Sequence, residues 1–208
     1  TNYMGASKRV SELIVQGFAE KVSHLESNLT TLFSMVRFGN VLGSSGSVVP
    51  LFNKQISKGG PITLTDENII RYFMTIEEAT QLVLQSSSFT KGGDLFLLDM
   101  GEPVLIKELA KQMITLSGLT LKDINNPKGD IEILISGLRP GEKLYEELLI
   151  DAKSIATSHP LIYKAEEKHL RYKDLIPYIN QLEEELINQN LPGVIKIIKK
   201  LVPEWKKN

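Results

Sequence analysis

The segment NYMGASKR, close to the start of the chain, contains a lysine that could support chemistry. Met4 and Lys8 are four residues apart, so in a helix their side chains lie on the same face. Tyr3 is five residues before Lys8, which places it about 140° away around the helix in steps of about 100°. A thioether neither gains nor loses a proton, so Met4 cannot act as a general base. The segment therefore offers a cation in Lys8 without an acid or a base one turn before it.

Two further residues have the chemistry to bind phosphate. Arg71 is flanked by apolar residues in IIRYF, an unfavourable place for a charge without a partner. A diphosphate would suit it, because a guanidinium binds phosphate through two parallel hydrogen bonds. Asn40 follows a predicted strand in RFGNV, where its amide could donate to a phosphate oxygen, or where it could simply form a turn. Arg37, inside that strand, is interpreted as structural.

Periodicity and turn residues predict the elements that must position these side chains. The first half is predicted to contain a helix from about Gly5 to His24, a strand in LTTLFSMVRFG, a loop in NVLGSSGS, a helix in VVPLFNKQISKGG, and extended stretches in PITLT and IIRYFMT. The second half is predicted to contain a helix from a Thr75–Glu78 capping box to about Ser87, a strand in DLFLLD, a helix ended by Gly118, a strand in DIEILIS, and two short helices broken at Pro192-Gly193. This alternation indicates a parallel sheet covered on both faces, with ligands bound beyond the carboxyl ends of its strands.

Composition excludes several classes of function. The 208 residues include no cysteine, which removes disulfides, thiol catalysis and thiolate-bound zinc. A formal net charge of −1 gives no electrostatic footprint for nucleic acid, so no nucleic-acid partner is expected. No apolar run approaches the roughly 18 residues of a membrane span. The three histidines lack metal-ligand spacing, so no metal site is predicted.

Five segments carry a resemblance when they are taken together and in order: NYMGASKR, VRFGNVLGSSGSVVPLF, IIRYFMTIEEA, LLDMGEPVLI and GLRPGEKLYEELL. With them the chain resembles the extended short-chain dehydrogenases that act on nucleotide sugars, and in particular the polysaccharide-biosynthesis UDP-N-acetylglucosamine 4,6-dehydratases. The resemblance implies the C-terminal part of a Rossmann-like fold, with a parallel sheet, flanking helices and a small substrate-binding subdomain. Residues 1–170 would belong to the NAD(P)-dependent dehydratase domain and residues 171–208 would form a helical tail.

The resemblance also implies parts that the sequence does not show. No G-x-G-x-x-G follows a strand, and GSSGS has the wrong spacing for a dinucleotide loop. In the resembled family that loop lies far upstream, and a Thr-Asp-Lys segment used in acid–base work lies just before NYMGASKR. The chain alone is therefore expected to be inactive. The resemblance places it in the cytoplasm, either free or attached to the inner membrane through an N-terminal region outside this sequence.

By resemblance, two groups of residues receive roles. Met4 replaces the usual catalytic tyrosine, Lys8 holds the nicotinamide ribose of NAD or NADP and supplies positive charge near the transferring hydride, and Ser7 lines the cofactor. The residues implied for the UDP-sugar are Asn40 and Arg139 at the diphosphate, Glu142 at the ribose hydroxyls, Ser47 and Val48 at the uridine, and Ile62 and Leu64 beside the uracil, together with Arg71. A surface turn is the other interpretation of RPGE.

The activity implied is removal of water from a UDP-N-acetylhexosamine, by a homo-oligomer that makes polysaccharide, capsule, O-antigen or glycan precursors. A nucleotide-sugar 4-epimerase or reductase would share the binding arginines, but those enzymes rely on the tyrosine that Met4 replaces. A non-catalytic nucleotide-sugar-binding module is the alternative from another class.

Overall fold

The computed structural model describes residues 2–23, 31–44, 46–145 and 153–205. The helices are α1 (Tyr3–Ser23), α2 (Val48–Ile56), α3 (Ile76–Ser87), α4 (Ile106–Leu116), α5 (Tyr172–Ile187) and α6 (Leu191–Leu201). The strands are β1 (Ser34–Arg37), β2 (Asn40–Val41), β3 (Ile62–Leu64), β4 (Ile70–Arg71), β5 (Phe73–Met74), β6 (Asp94–Leu98), β7 (Val104–Leu105), β8 (Leu121–Lys122), β9 (Ile131–Ile135), β10 (Lys153–Ala156) and β11 (Ile162–Glu166). The predicted α/β class is confirmed. His24, the predicted end of the first helix, and residues 146–149 of GLRPGEKLYEELL lie outside the described residues.

Contacts divide the chain into two compact units. The first takes its described residues from 1–37, 83–98 and 149–208, and the second from 38–82 and 99–148. Both units are assembled from separate stretches of sequence.

The first unit is built on a four-stranded sheet in the order β1-β6-β11-β10. β1 and β6 run parallel, whereas β11 is antiparallel to β6 and β10 is antiparallel to β11. Every residue of β6 is buried, which accounts for its nearly continuous apolar sequence. The β10–β11 pair is an addition to the parallel sheet that the sequence predicted. Only residues 157–161 join these two strands, enough for a hairpin but too few for the crossover of a parallel pair.

Helix α1 packs against the C-terminal helices of the same unit. Its buried face includes Ala6, Val10 and Leu13, which join one apolar cluster with Leu175 of α5 and with α6. The cluster continues to Trp205, beyond the end of α6. The helix expected to carry Met4 and Lys8 is thus supported by the tail.

The break between the two tail helices differs from its prediction. Residues 188–190 separate α5 from α6, and Asn190 caps α6 by accepting a hydrogen bond from the Gly193 N–H at 3.4 Å. Pro192 lies in the first turn of α6, where a helix does not need the N–H that proline lacks. The break therefore precedes Pro192-Gly193 rather than falling on it.

The second unit contains three small sheets and a core that links them. β3, β9 and β8 form a parallel sheet in the order β3-β9-β8, β2 pairs with β5 in parallel, and β4 pairs with β7 in antiparallel. The buried core residues are Phe52, Ile56, Ile62, Leu64, Ile69, Ile106, Ala110, Met113, Ile114 and Ile131. Because β3 and β9 are parallel and Leu64 is opposite Ile135, the segments that follow them begin at the same sheet edge.

The start of α3 confirms the predicted capping box. The Thr75 hydroxyl accepts a hydrogen bond from the Glu78 N–H at 3.1 Å, and the Glu78 carboxylate accepts one from the Thr75 N–H at 2.7 Å. The Thr75 N–H and the Thr75 hydroxyl both donate to the Glu78 carboxylate, and these two bonds lower the pKa of Glu78 because they favour its charged form.

Candidate functional site

The first turns of α1 present Met4, Ser7 and Lys8 on the surface of the first unit. The Asn2 side chain begins the helix by accepting a hydrogen bond from the Gly5 N–H at 2.7 Å. Met4 is 64% exposed, and its carbonyl accepts a hydrogen bond from the Ser7 hydroxyl at 2.9 Å. Lys8 is also exposed and forms no ion pair within the described part of the chain. An exposed ammonium beside an exposed thioether can hold an oxygen-rich ligand, but only the ammonium carries charge.

Tyr3 has a different environment from the Met4–Lys8 pair. Its ring lies 5.0 Å from the ring of Trp205, centroid to centroid, at an interplanar angle of 59°. Aromatic pairs of this geometry stabilise through packing and through their ring quadrupoles. Tyr3 therefore anchors the helix start to the tail.

A cluster of two arginines and two glutamates connects α1 to β1 and to the residue after β11. Arg37 at the end of β1 donates to Glu12 of α1 and to Glu167, which follows β11. Arg9 also binds both carboxylates, with its Nη1 3.0 Å from Glu12 and 3.1 Å from Glu167. Burial alone raises the pKa of Glu12, but the hydrogen bonds from Arg37 and Arg9 outweigh it and lower the pKa. This cluster supports the interpretation of Arg37 as structural. Its partners Glu12 and Glu167 are 25 and 130 positions away in sequence, so no local pattern indicates them.

Asn40 is held in the second unit through its backbone. Its N–H donates to the carbonyl of Tyr72 at 2.9 Å, where β2 and β5 begin to pair. Gly39 permits this approach, because a Cβ there would lie 3.1 Å from the same carbonyl and 3.2 Å from Met100. This tight packing fixes the position of the Asn40 backbone, from which the side-chain amide extends.

Ser47 and Val48 form the start of α2. The Ser47 hydroxyl is buried and has no hydrogen-bond partner among the residues that the structure describes. The N–H groups of a first helical turn also have no partner within the helix. This end of α2 therefore offers a hydroxyl and backbone donors to a polar or anionic group.

The RPGE motif forms a tight turn closed from both sides. The Glu142 N–H donates to the Arg139 carbonyl at 2.9 Å, and the Glu142 carboxylate accepts the Arg139 N–H at 3.1 Å. Pro140 and Gly141, with a φ of +77° at the glycine, suit the two central positions of a type II turn. RPGE thus forms the turn that was the other interpretation of this motif. The binding roles of Arg139 and Glu142 stay predictions.

Arg71 binds the segment that follows this turn. Its Nη2 donates to the Lys143 carbonyl at 2.8 Å, and its Nη1 donates to the carbonyls of Leu144 at 3.1 Å and Ile70 at 2.7 Å. The same guanidinium lies 4.0 Å from the Glu142 carboxylate. Its side chain is only 14% exposed, and these hydrogen bonds offset the cost of burying its charge among the apolar neighbours seen in the sequence. The structure therefore brings together Arg71, Arg139 and Glu142, three residues that the sequence analysis singled out separately.

Two predicted ligand contacts need correction. Ile62 and Leu64 are 0% and 2% exposed and belong to the hydrophobic core of the second unit. Alternate residues of a strand face opposite sides, and the side that these two share faces the core. Their side chains are not available to flank a uracil.

No group of three or more histidine, aspartate or glutamate side chains within the described ranges could hold a metal ion. None of the helices in those ranges is long and apolar enough to cross a membrane.

Comparison with known proteins agrees with this architecture. The crystal structure of Pen from Bacillus thuringiensis matches with a TM-score of 0.61 and 29% sequence identity, over 85% of this chain and 56% of that one. This match and the fold define an α/β protein of the extended short-chain dehydrogenase type.

A family model described as "Polysaccharide biosynthesis protein" matches residues 1–167, and the chain belongs to this family. The capsular polysaccharide biosynthesis protein CapD of Staphylococcus aureus is 53% identical over 149 residues, which are 72% of this chain and 23% of CapD. A UDP-glucose 4-epimerase of Rickettsia rickettsii is 34% identical over 148 residues, which are 71% of this chain and 39% of the epimerase. The chain thus spans less than half of the length of either relative.

Proposed function

We propose that this chain supplies the nucleotide-sugar-binding residues and part of the catalytic residues of an NAD(P)-dependent UDP-N-acetylhexosamine 4,6-dehydratase. The observation that carries the proposal is Met4, exposed one helical turn before the exposed Lys8. A side chain that cannot exchange a proton at this position suits an enzyme whose proton transfers are made elsewhere.

The second unit provides groups of the right chemistry for a nucleoside diphosphate. Arg71 and Arg139 carry permanent positive charge, and the Glu142 carboxylate can accept hydrogen bonds from sugar hydroxyls. The start of α2 adds the Ser47 hydroxyl and backbone N–H donors. Asn40 and Val48 complete the proposed set, as the resemblance implies.

In the proposed mechanism the residues of α1 act on the cofactor side. A bound nicotinamide cofactor would supply reversible hydride transfer with the sugar. Lys8, whose ammonium forms no ion pair with the described residues, would hold the hydroxyls of the nicotinamide ribose and supply positive charge near the transferring hydride. Ser7 lines the same side of the turn. Met4 would fill space beside the sugar without moving a proton. Removal of the hydroxyl proton at carbon 4 that accompanies hydride transfer, loss of the proton at carbon 5 and protonation of the departing hydroxyl at carbon 6 would therefore fall to other residues, which the resemblance places upstream of this segment.

A nucleotide-sugar 4-epimerase is the second candidate, because the 34% identical relative has that activity in its name. Met4 argues against it, since a 4-epimerase needs a proton-transfer group at this place in the helix. Membrane attachment and a homo-oligomer stay predictions.

The test incubates the complete protein that carries this chain with UDP-N-acetylglucosamine and NAD or NADP. Mass spectrometry of the product separates the two candidates. A product that has lost one water supports the dehydratase, whereas an isomer of unchanged mass supports the epimerase. Binding of UDP-N-acetylglucosamine without either product would favour a binding module.

A further inference from the structure

The residue directly after β3 contacts the proposed substrate site without having been assigned a role. Thr65 follows Leu64, and its hydroxyl donates a hydrogen bond to Oε1 of Glu142 at 2.9 Å. The two residues are 77 positions apart in sequence and meet because the segments after β3 and β9 begin at one sheet edge.

The Glu142 carboxylate is held through both of its oxygens. Oε1 accepts the Thr65 hydroxyl, Oε2 accepts the Arg139 N–H at 3.1 Å, and the Arg71 guanidinium lies 4.0 Å from Oε1. Its side chain is 22% exposed, so part of it still reaches solvent. A carboxylate has about four lone-pair sites. Among the described residues, Thr65 and Arg139 use one site on each oxygen, which leaves one site on each oxygen for an incoming donor.

We propose that Thr65 is a positioning residue for Glu142: it orients the carboxylate so that both oxygens can accept hydrogen bonds from two neighbouring hydroxyls of a ribose. This inference rests on the proposed function, in which Glu142 meets the ribose of a UDP-sugar. Glutamate side chains have several rotatable bonds, and fixing them before a ligand arrives reduces the entropy lost on binding.

The segment from Ser136 to Leu144, which carries Glu142, does not depend on Thr65 for its backbone position. Ser136 fixes the start of the loop, because its N–H and its hydroxyl both donate to the Leu64 carbonyl, at 2.7 and 3.1 Å. The other end is fixed by the Ile70 N–H, which donates to the Leu144 carbonyl at 3.1 Å, and by the Arg71 bond to Lys143. Loss of the Thr65 hydroxyl should therefore release Oε1 of Glu142 while the backbone of residues 136–144 stays in place.

The experiment compares Thr65→Val with Thr65→Ser in the complete protein. Valine keeps the β-branched shape and removes the hydroxyl, whereas serine keeps the hydroxyl and serves as the matched control. Calorimetric titration measures the affinity of each variant for UDP and for 2′,3′-dideoxy-UDP, which lacks both ribose hydroxyls. We expect the wild type and Thr65→Ser to prefer UDP. We expect Thr65→Val to bind UDP about tenfold more weakly and to bind the dideoxy analogue as the wild type does.

Each other outcome overturns the proposal in a distinguishable way. If Thr65→Val keeps the full preference for UDP, or weakens both ligands equally, Thr65 does not act through the ribose contact and only this inference fails. If the wild type binds neither nucleotide, the proposed function fails with it. Should Thr65→Val melt far below the wild type, a double-mutant cycle between Thr65→Ala and Glu142→Gln replaces it: the two changes must be non-additive for UDP and additive for the dideoxy analogue.

Discussion

Arg37 holds the carboxylate of Glu12 through two parallel hydrogen bonds, one from Nε to Oε1 at 2.6 Å and one from Nη2 to Oε2 at 2.5 Å. This bidentate pair joins the end of β1 to the middle of α1, and both side chains are largely buried. Two parallel hydrogen bonds to a planar guanidinium constrain direction as well as distance, so the pair limits the rotation of α1 as well as its distance from the sheet.

The first prediction concerns this cluster. Replacing Glu12 with glutamine leaves two buried guanidiniums short of one negative charge, so we expect the free energy of unfolding to fall by about 3 kcal/mol. Urea unfolding followed by circular dichroism measures the change. Lys111→Met, which breaks an exposed pair between Lys111 and Glu108 on α4, is the control and should cost no more than about 0.5 kcal/mol. Equal effects of the two substitutions would contradict a stabilising role for the cluster.

The second prediction concerns acid stability. Burial alone raises the pKa of Asp94, but hydrogen bonds from Lys164 and from the N–H groups of Lys91 and Gly92 outweigh it, so the net pKa is lowered. A pKa lowered by folding stabilises the protein above the ordinary aspartate pKa of about 3.9, and this contribution is lost as pH falls below it. We expect the free energy of unfolding to decrease steeply below about pH 4. Asp94→Asn should flatten that decrease, whereas Glu102→Gln, on an exposed loop, should leave it intact.

The third prediction concerns nucleotide binding in the complete protein. Charge-assisted contacts contribute about 1.5–3 kcal/mol each, so Arg139→Ala should weaken UDP binding by roughly ten- to a hundredfold without changing affinity for NAD(P). Arg71→Ala should have an effect at least as large, because it also releases the carbonyls of Lys143 and Leu144. Arg71→Lys should not restore binding, since one ammonium cannot reach the same set of acceptors. UDP affinity that survives both alanine substitutions would show that the nucleotide binds elsewhere.

The fourth prediction concerns the proposed catalytic turn. Met4→Leu should retain most of kcat in the complete protein, because the swap roughly conserves volume and polarity. Lys8→Ala should lower kcat on the order of 100-fold by removing a charge near the reacting carbon. Tyr3→Phe should change little, since the phenylalanine ring can keep the contact with Trp205. A collapse of kcat in a well-folded Tyr3→Phe, with Met4→Leu unaffected, would identify the tyrosine as the proton-transfer residue after all.

Local signals in the sequence predicted the elements well where a few neighbouring residues decide the structure. The Thr75–Glu78 box begins α3 as expected, because both partners lie within one turn. The buried run DLFLL forms β6, since only a strand paired on both sides buries every residue of so short a segment. The start of α1 also has the predicted register, with Met4 and Lys8 one turn apart.

The missed features depend on residues far apart in sequence. Arg9 donates a hydrogen bond to the carbonyl of Lys168, which is 159 positions away in sequence, and no local pattern indicates such a partner. Thr65 carried a weak signal, as a hydroxyl residue just after a strand, but its orientation toward Glu142 follows from the β3–β9 register. Ile62 was assigned to a ligand because the resemblance matched positions along the chain, and only packing shows that its side chain faces the core.

The packing of α1 on the tail has a consequence for synthesis on the ribosome. The apolar side chains of Val10 and Leu13 are covered by residues of α5 and α6, which are translated much later. At about 5–20 residues per second, roughly 10 to 40 s pass before Leu175 and Ile197 emerge. During this interval the apolar face of α1 is exposed to other nascent chains. We therefore expect the growing polypeptide to need a chaperone until α5 and α6 have left the exit tunnel.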